Sequence, residues 1–240
     1  MVQSLMVFDQ IKIEKILKIK FDSRELLKTA YTHRSYINEH RKAKLEHNER
    51  LEFLGDAVLE LVVTDYLYRN YENPEGELTA WRSALVKTES LAELADKLNV
   101  GQFLLMSRGE AKTGGRTRQA LLANLVEANI GAIYLDKGYD VAKQFIETNL
   151  ITNLVEIIKT GAYIDAKSHF QELSQEKKGI TPVYKVLDES GPDHDKTFIM
   201  GVYLGSIKFG EGSGNSKQTA QQAAALSGLK KLKKPSKKTT

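Results

Sequence analysis

Glu49, Glu52 and Asp56 stand in the stretch NERLEFLGDAVLE, residues 48–60, whose other residues read as a packed helix. On a helical wheel with Glu49 at the origin, Leu51, Leu54, Val58, Leu61 and Val62 fall between about 120° and 220°, and the three acids between about 300° and 360°. The acids therefore share one face, opposite the expected core. Three like charges so close repel and raise one another's pKa unless a cation lies among them, which suits a divalent metal; a solvated acidic face is the alternative. Phe53 falls near 40° on the same wheel, nearer the acids than the apolar stripe, at about the angle where a core residue is not expected. A large aromatic displaced from the core reads as an anchor in a subunit interface.

A second helix, QALLANLVEANIGAIYLD, repeats the theme with Asn124 and Glu127 three residues apart and Leu122, Val126, Ile130 and Ile133 on roughly the opposite side. Oxygen donors from two crossing helices can enclose Mg²⁺, with Mn²⁺ as a substitute, and leave coordination positions for water and phosphate. Glu49, Asp56 and Glu127 are the charged ligands expected, and Asn124 contributes a neutral carbonyl oxygen. The chemistry such a site serves is in-line attack of water on a phosphodiester, which needs no covalent nucleophile. His33, His40 and His47 recur seven residues apart, a spacing that does not favour zinc in a chain without cysteine.

These helices need a scaffold. The 240 residues, 41% of them hydrophobic, suffice for two domains, and the absence of cysteine removes disulfides and thiolate metal sites and fits a reducing, cytoplasmic setting. Charged residues interrupt the N-terminal stretch, which reads as an amphipathic helix and not a signal peptide, and no segment reaches the roughly 20 apolar residues of a membrane span. Up to about residue 157 the apolar residues recur at helical spacing, so an all-α first domain is expected over 1–157, followed by a linker at 158–164. Residues 165–233 then read as an α+β domain of order αβββα, with Asp165 as N-cap, strands in TPVYKVLDES, KTFIMGVYLG and SIKFGEGSG, and an alanine-rich last helix able to lie close on a sheet. The net charge is +4, and a lysine-rich tail at 234–240 suits a polyanion.

HNERLEFLGDAVLE resembles the signature of the bacterial ribonuclease III family, and the likeness extends through AYTHRSYINE (30–39), EGELTAWRSALV (75–86), RGEAKTGGRTRQALLANLVEANIGAIYLD (108–136) and the αβββα region, which is similar to a double-stranded-RNA-binding domain. The resemblance implies a homodimeric, Mg²⁺-dependent endoribonuclease that cuts double-stranded RNA to 5′-phosphate and 3′-hydroxyl ends in rRNA maturation and RNA turnover, with no small-molecule cofactor. It implies that Glu49, Asp56 and Glu127 are the catalytic and metal-binding acids, that Glu52 and Glu75 are accessory acids of the cleft, and that Phe53 plugs into the partner subunit. Ser168, Gln171 and Glu172, then Pro192 and His194, then Ser216 and Lys217 are the implied RNA contacts, chemically suited to 2′-hydroxyls and phosphates of an A-form duplex. Two positions depart from the family pattern: Asn124 stands where aspartate is usual, and Gln218 follows Lys217 where a basic residue is usual. The first removes one charge from the metal site, so a non-catalytic dimeric RNA-binding protein disabled at Asn124 is the second reading.

Overall fold

The computed structural model describes residues 8–40, 45–160, 166–192 and 196–232. The chain divides into two compact units, Met1–Tyr163 and Ile164–Thr240. Among the described residues the first unit is helical apart from a single bridge between Thr32 and Leu105. Its helices are α1 (Gln10–Leu17), α2 (Arg24–Ala30), α3 (Arg34–Glu39), α4 (Glu49–Asn70), α5 (Glu75–Val86), α6 (Thr88–Leu98), α7 (Arg108–Lys112), α8 (Gln119–Lys137), α9 (Tyr139–Asn149) and α10 (Leu154–Thr160).

The axis of this unit is the pair α4 and α8. They cross where each presents a glycine to the other's backbone. A Cβ placed on Gly55 lies 1.8 Å from the Glu127 carbonyl oxygen, and one placed on Gly131 lies 2.2 Å from that of Leu51. Glycine in a helix interior costs about 1 kcal/mol against alanine, so two on facing helices need a packing reason, and this close crossing supplies it. The remaining helices surround the pair. Asp136, at the end of α8, accepts hydrogen bonds from the backbone N–H groups of Asp22 (2.9 Å) and Ser23 (2.8 Å), while the Ser23 hydroxyl caps α2 at Leu26 N–H. Sequence-remote segments are thereby tied at a helix start, where unpaired N–H groups otherwise remain.

Two polar residues stand on apolar helix faces. Asp65 pairs with Arg69 at 2.7 Å and Lys143 at 3.4 Å. Asn129 is buried and its amide nitrogen donates to the Leu125 carbonyl at 2.8 Å, while its Oδ1 and the fully buried Tyr31 hydroxyl make no hydrogen bond among the described residues. Helix α10 continues through Thr160, three residues into the segment expected to be linker, because Leu154 is buried and Ile157 and Ile158 pack on the helical core.

The second unit has the order α11 (Ala166–Lys178), β1 (Val183–Ser190), β2 (Thr197–Leu204), β3 (Ile207–Gly214) and α12 (Lys217–Leu232), with an antiparallel sheet of order β1-β2-β3. The expected N-cap Asp165 lies outside the described residues. Phe170, Met200, Val202, Leu204, Ala224 and Leu229 form its core. The closeness of α12 to the sheet depends on both partners. Opposite the alanines of α12, β3 places Gly210 and Gly212, where an added Cβ would lie 2.3 Å from the Ala224 backbone. Among the described residues no helix is long and apolar enough to cross a membrane.

Candidate active site

Because α4 and α8 touch at Gly55 and Gly131, the side chains one step around each helix are forced into a common region. On α4 these are Glu52 and Asp56; on α8 they are Asn124 and Glu127. Burial, Asp56 and Glu52, in that order, push the Glu127 carboxyl up to about 7. The Glu52 carboxyl is likewise raised, by burial and then Glu49, with a hydrogen bond from Asn124 partly offsetting this before Asp56 adds to it. Glu52, Asp56, Asn124 and Glu127 are thus brought near one another, while the expected Glu49 acts on Glu52, three residues along its own helix, and not on Glu127. In the absence of a cation Glu127 holds its proton well above the usual carboxylate range.

The donor set consists only of oxygens, and its like charges raise one another's proton affinity. Both properties fit a hard divalent cation such as Mg²⁺. Among the described residues, no three His, Cys, Asp or Glu side chains converge as a group able to hold a metal. Glu49 forms an ion pair with the guanidinium of Arg34. His47 Nδ1 also stands 3.9 Å from Glu49.

Glu75 is placed elsewhere within the chain. It lies in the first turn of α5, accepts a hydrogen bond from the Thr79 hydroxyl at 3.0 Å, and lines a cavity of about 690 Å³ with Tyr68, Tyr71 and Arg82. His33 caps α3, with Nδ1 2.7 Å from the Ser35 hydroxyl oxygen, and burial lowers its pKa. Its role here is positional.

Helix α4 has a third face that the wheel did not separate. Phe53 is 81% exposed, Leu61 57% and Tyr68 79%. Leu61 belongs with this outer stripe and not with the buried set to which the wheel assigned it, since α8 covers α4 from one side only. At 100° per residue, Phe53, Ala57, Leu61, Thr64 and Tyr68 run along one line between about 40° and 120°, beside the acids.

In the second unit Ser168, Gln171 and Glu172 occupy one exposed side of α11, at i, i+3 and i+4. Ser216 caps α12 through the Thr219 N–H at 3.2 Å, and Lys217 acts electrostatically on Glu189 near the end of β1, so the start of α12 lies close to the β1–β2 turn that carries Pro192. His194, in that turn, lies outside the described residues, as does the tail from residue 233. Lys230 and Lys231, in the last turn of α12, are exposed.

Sequence reasoning passed over Arg34, Gly55 and Gly131. The glycines carried a signal, since glycine inside a strongly helical pattern marks close packing. Arg34 carried none, because its partner is fifteen residues away and meets it only through the fold.

Comparison with known proteins finds a family for each unit. A family described as Ribonuclease-III-like matches residues 23–154, and the double-stranded RNA binding motif matches residues 166–232. Proteins named Ribonuclease 3 from Oceanobacillus iheyensis and Lactococcus lactis subsp. lactis are 46% and 44% identical over 221 and 228 residues; these alignments span 90% and 92% of this chain and 95% and 97% of the relatives. A solved nuclease domain of ribonuclease III from Campylobacter jejuni, described for flexibility in a region involved in dimer formation, superposes with a TM-score of 0.54 at 42% identity, covering 59% of this chain and 98% of that one. With acids of α4 and α8 near one crossing and a second unit, of order αβββα, following in the chain, the chain belongs to the ribonuclease III family of endoribonucleases acting on double-stranded RNA.

Proposed function

We propose that this endoribonuclease is Mg²⁺-dependent and works as a homodimer, cutting RNA duplexes to 5′-phosphate and 3′-hydroxyl ends in rRNA precursor processing and RNA turnover in the cytoplasm. The observation that carries the metal dependence is the gathering of Glu52, Asp56, Asn124 and Glu127, in which Glu127 reaches a pKa of about 7 without a compensating cation. Asp56, Glu127 and Glu49 are the residues that would hold the ion, with the Asn124 amide oxygen beside them. When bound, a divalent ion lowers the pKa of a coordinated water and neutralises charge on the phosphate. Glu127 must give up its proton to become a ligand, so metal affinity rises with pH up to about 7. Ser168, Gln171, Glu172, Ser216 and Lys217 would hold the duplex by its A-form shape, with Pro192 and His194 from the intervening turn.

The outer stripe of α4 supports the dimer. Its midpoint lies near Leu61, so a twofold axis there would set Phe53 of one copy opposite Tyr68 of the other. Self-complementarity about such an axis is the usual geometry of a dimer. The same pairing brings the start of the partner's α5 toward the acids of α4, which would give Glu75 its accessory place across the interface. At the other end of the stripe, where this axis would set the partner's Phe53, stands the cavity of about 690 Å³ lined by Leu67, Tyr68, Tyr71 and Leu78. Truncating an aromatic anchor costs about 2–4 kcal/mol, so Phe53→Ala is expected to raise the dimer dissociation constant at least about thirtyfold. Sedimentation equilibrium would read this, and an unchanged constant would remove Phe53 from the interface.

Asn124 favours the second reading, RNA binding without turnover, since it withholds one charge from the metal. Cleavage of a long duplex across a Mg²⁺ titration separates the two. The Asn124 protein is expected to cut, and Asn124→Asp to reach half-maximal rate at several-fold lower Mg²⁺. Tight duplex binding with no cleavage, restored by Asn124→Asp, would establish the second reading instead.

A further inference from the structure

The basic segment 108–118 leads straight into α8, and one of its arginines turns inward. Arg116 directs a single terminal nitrogen, Nη1, at three backbone carbonyl oxygens: those of Leu104 at 2.7 Å, Gln102 at 2.9 Å and Gly101 at 3.3 Å. Among the described residues no carboxylate pairs with it. A cation held partly out of water costs solvation free energy, which hydrogen bonding offsets only in the geometry where the carbonyls face it. The carbonyls belong to a segment that touches α8. A Cβ added to Gly101 would lie 2.6 Å from the Leu122 side chain, in the first turn of α8 and two residues before Asn124. The same segment continues to Leu105, whose N–H donates to the Tyr31 carbonyl at 2.8 Å and whose carbonyl accepts from His33 N–H at 2.9 Å, at the start of α3.

The other end of segment 108–118 is anchored separately. Arg108 N–H donates to the exposed Glu39 carboxylate, at 3.1 and 3.2 Å from its two oxygens, and Glu110 pairs with Arg118 at 2.5 Å. The crossing at Gly55 and Gly131 fixes one point along α8. A stiff rod held at one point can still tilt, and a second point near its first turn removes that freedom. We propose that Arg116 is a positioning residue for cleavage: by pinning segment 108–118 to the carbonyls of 101–104 it sets the tilt of α8 and so the place of Asn124 and Glu127. This rests on the reading of the α4–α8 crossing as the cleavage site. Glu39, at the far end of the segment, assists the same placement.

The test is steady-state cleavage of a long duplex by the full-length protein at saturating Mg²⁺, at a temperature where circular dichroism shows each variant folded. Arg116→Met keeps the apolar stem and removes the donors. It is expected to lower kcat about ten- to a hundredfold, the range for a misplacement of about 1 Å, with KM for the duplex within about threefold because the second unit still holds RNA. Arg116→Lys is expected to keep kcat within about threefold, since an ammonium brings three donors on one nitrogen to the three carbonyls. Glu39→Ala loosens the exposed end without touching the core and is expected to lower kcat about two- to fivefold, for the loss of one charge-assisted contact. An arginine that served stability alone would lower the melting temperature and leave kcat per folded molecule unchanged, and that result with Arg116→Met would overturn the pin. Should Arg116→Met not fold, an unchanged kcat in Glu39→Ala would overturn it instead. Equal losses in Arg116→Lys and Arg116→Met would reject the carbonyl contacts as its basis. Glu127→Gln runs alongside: full activity there would reject the crossing as the cleavage site and the pin with it, whereas its inactivity beside a fully active Arg116→Met would reject the pin alone.

Discussion

Glu127→Gln is expected to abolish duplex cleavage while making the metal-free protein harder to unfold at pH 8. The two effects share one cause. Glu127 sits at the α4–α8 crossing, where burial first, then Asp56 and Glu52, raise its carboxyl to about 7. In the proposed role of metal ligand it would need its charge, and losing a ligand that contributes several kcal/mol of transition-state stabilisation lowers the rate on the order of 10³-fold. Without metal the same charge is a burden. Below the unfolded-state pKa of 4.5 both folded and unfolded forms carry the proton and there is no penalty. Between 4.5 and about 7 the unfolded chain ionises while the folded one keeps its proton, and above about 7 the penalty is complete. Discounted for partial exposure, it amounts to about 1–2 kcal/mol. Thermal unfolding in a chelator should therefore show Glu127→Gln melting about 2–8 °C higher at pH 8, with the difference vanishing near pH 4.5. Equal melting temperatures at both pH values would mean that the carboxylate is not destabilised by its surroundings.

Gly55→Ala is expected to cost about 3 kcal/mol or more and to reduce cleavage with it. The added methyl would fall 1.8 Å from the Glu127 carbonyl oxygen and 2.6 Å from its carbonyl carbon. Both are backbone atoms inside a helix, so no side chain can swing away and the helices must separate. Separation moves Asp56 away from Glu127, which is why stability and activity fall together. Gly76→Ala is the control: it lies in α5 and its Cβ would meet nothing within 4 Å, so a neutral or slightly stabilising effect is expected from helix propensity. Urea unfolding of the three proteins reads the difference. A Gly55→Ala protein as stable as the Gly76→Ala one would show that the crossing tolerates a wider spacing.

The sequence by itself determined what depends on local repeats. The 3.6-residue period placed Glu49, Glu52 and Asp56 on one side of α4 and set Phe53 apart from the core, because angular position along a helix is a property of the backbone alone. Composition and turn residues marked the αβββα order for the same reason: strands, turns and caps are written over a few neighbouring residues. The tertiary structure decided everything that depends on a remote partner. It determined that α8 covers α4 on one side only, leaving Leu61 outside with Phe53 and Tyr68. It turned Gly55 and Gly131 from weak points in two helices into the contact that gathers the acids. It drew Arg34 onto Glu49 and left Glu75 on another part of the chain. A residue's place on its own helix is fixed by local geometry, but the charge, carbonyl or solvent it faces is fixed by the packing of segments far apart in sequence, and that packing sets the electrostatics of the site.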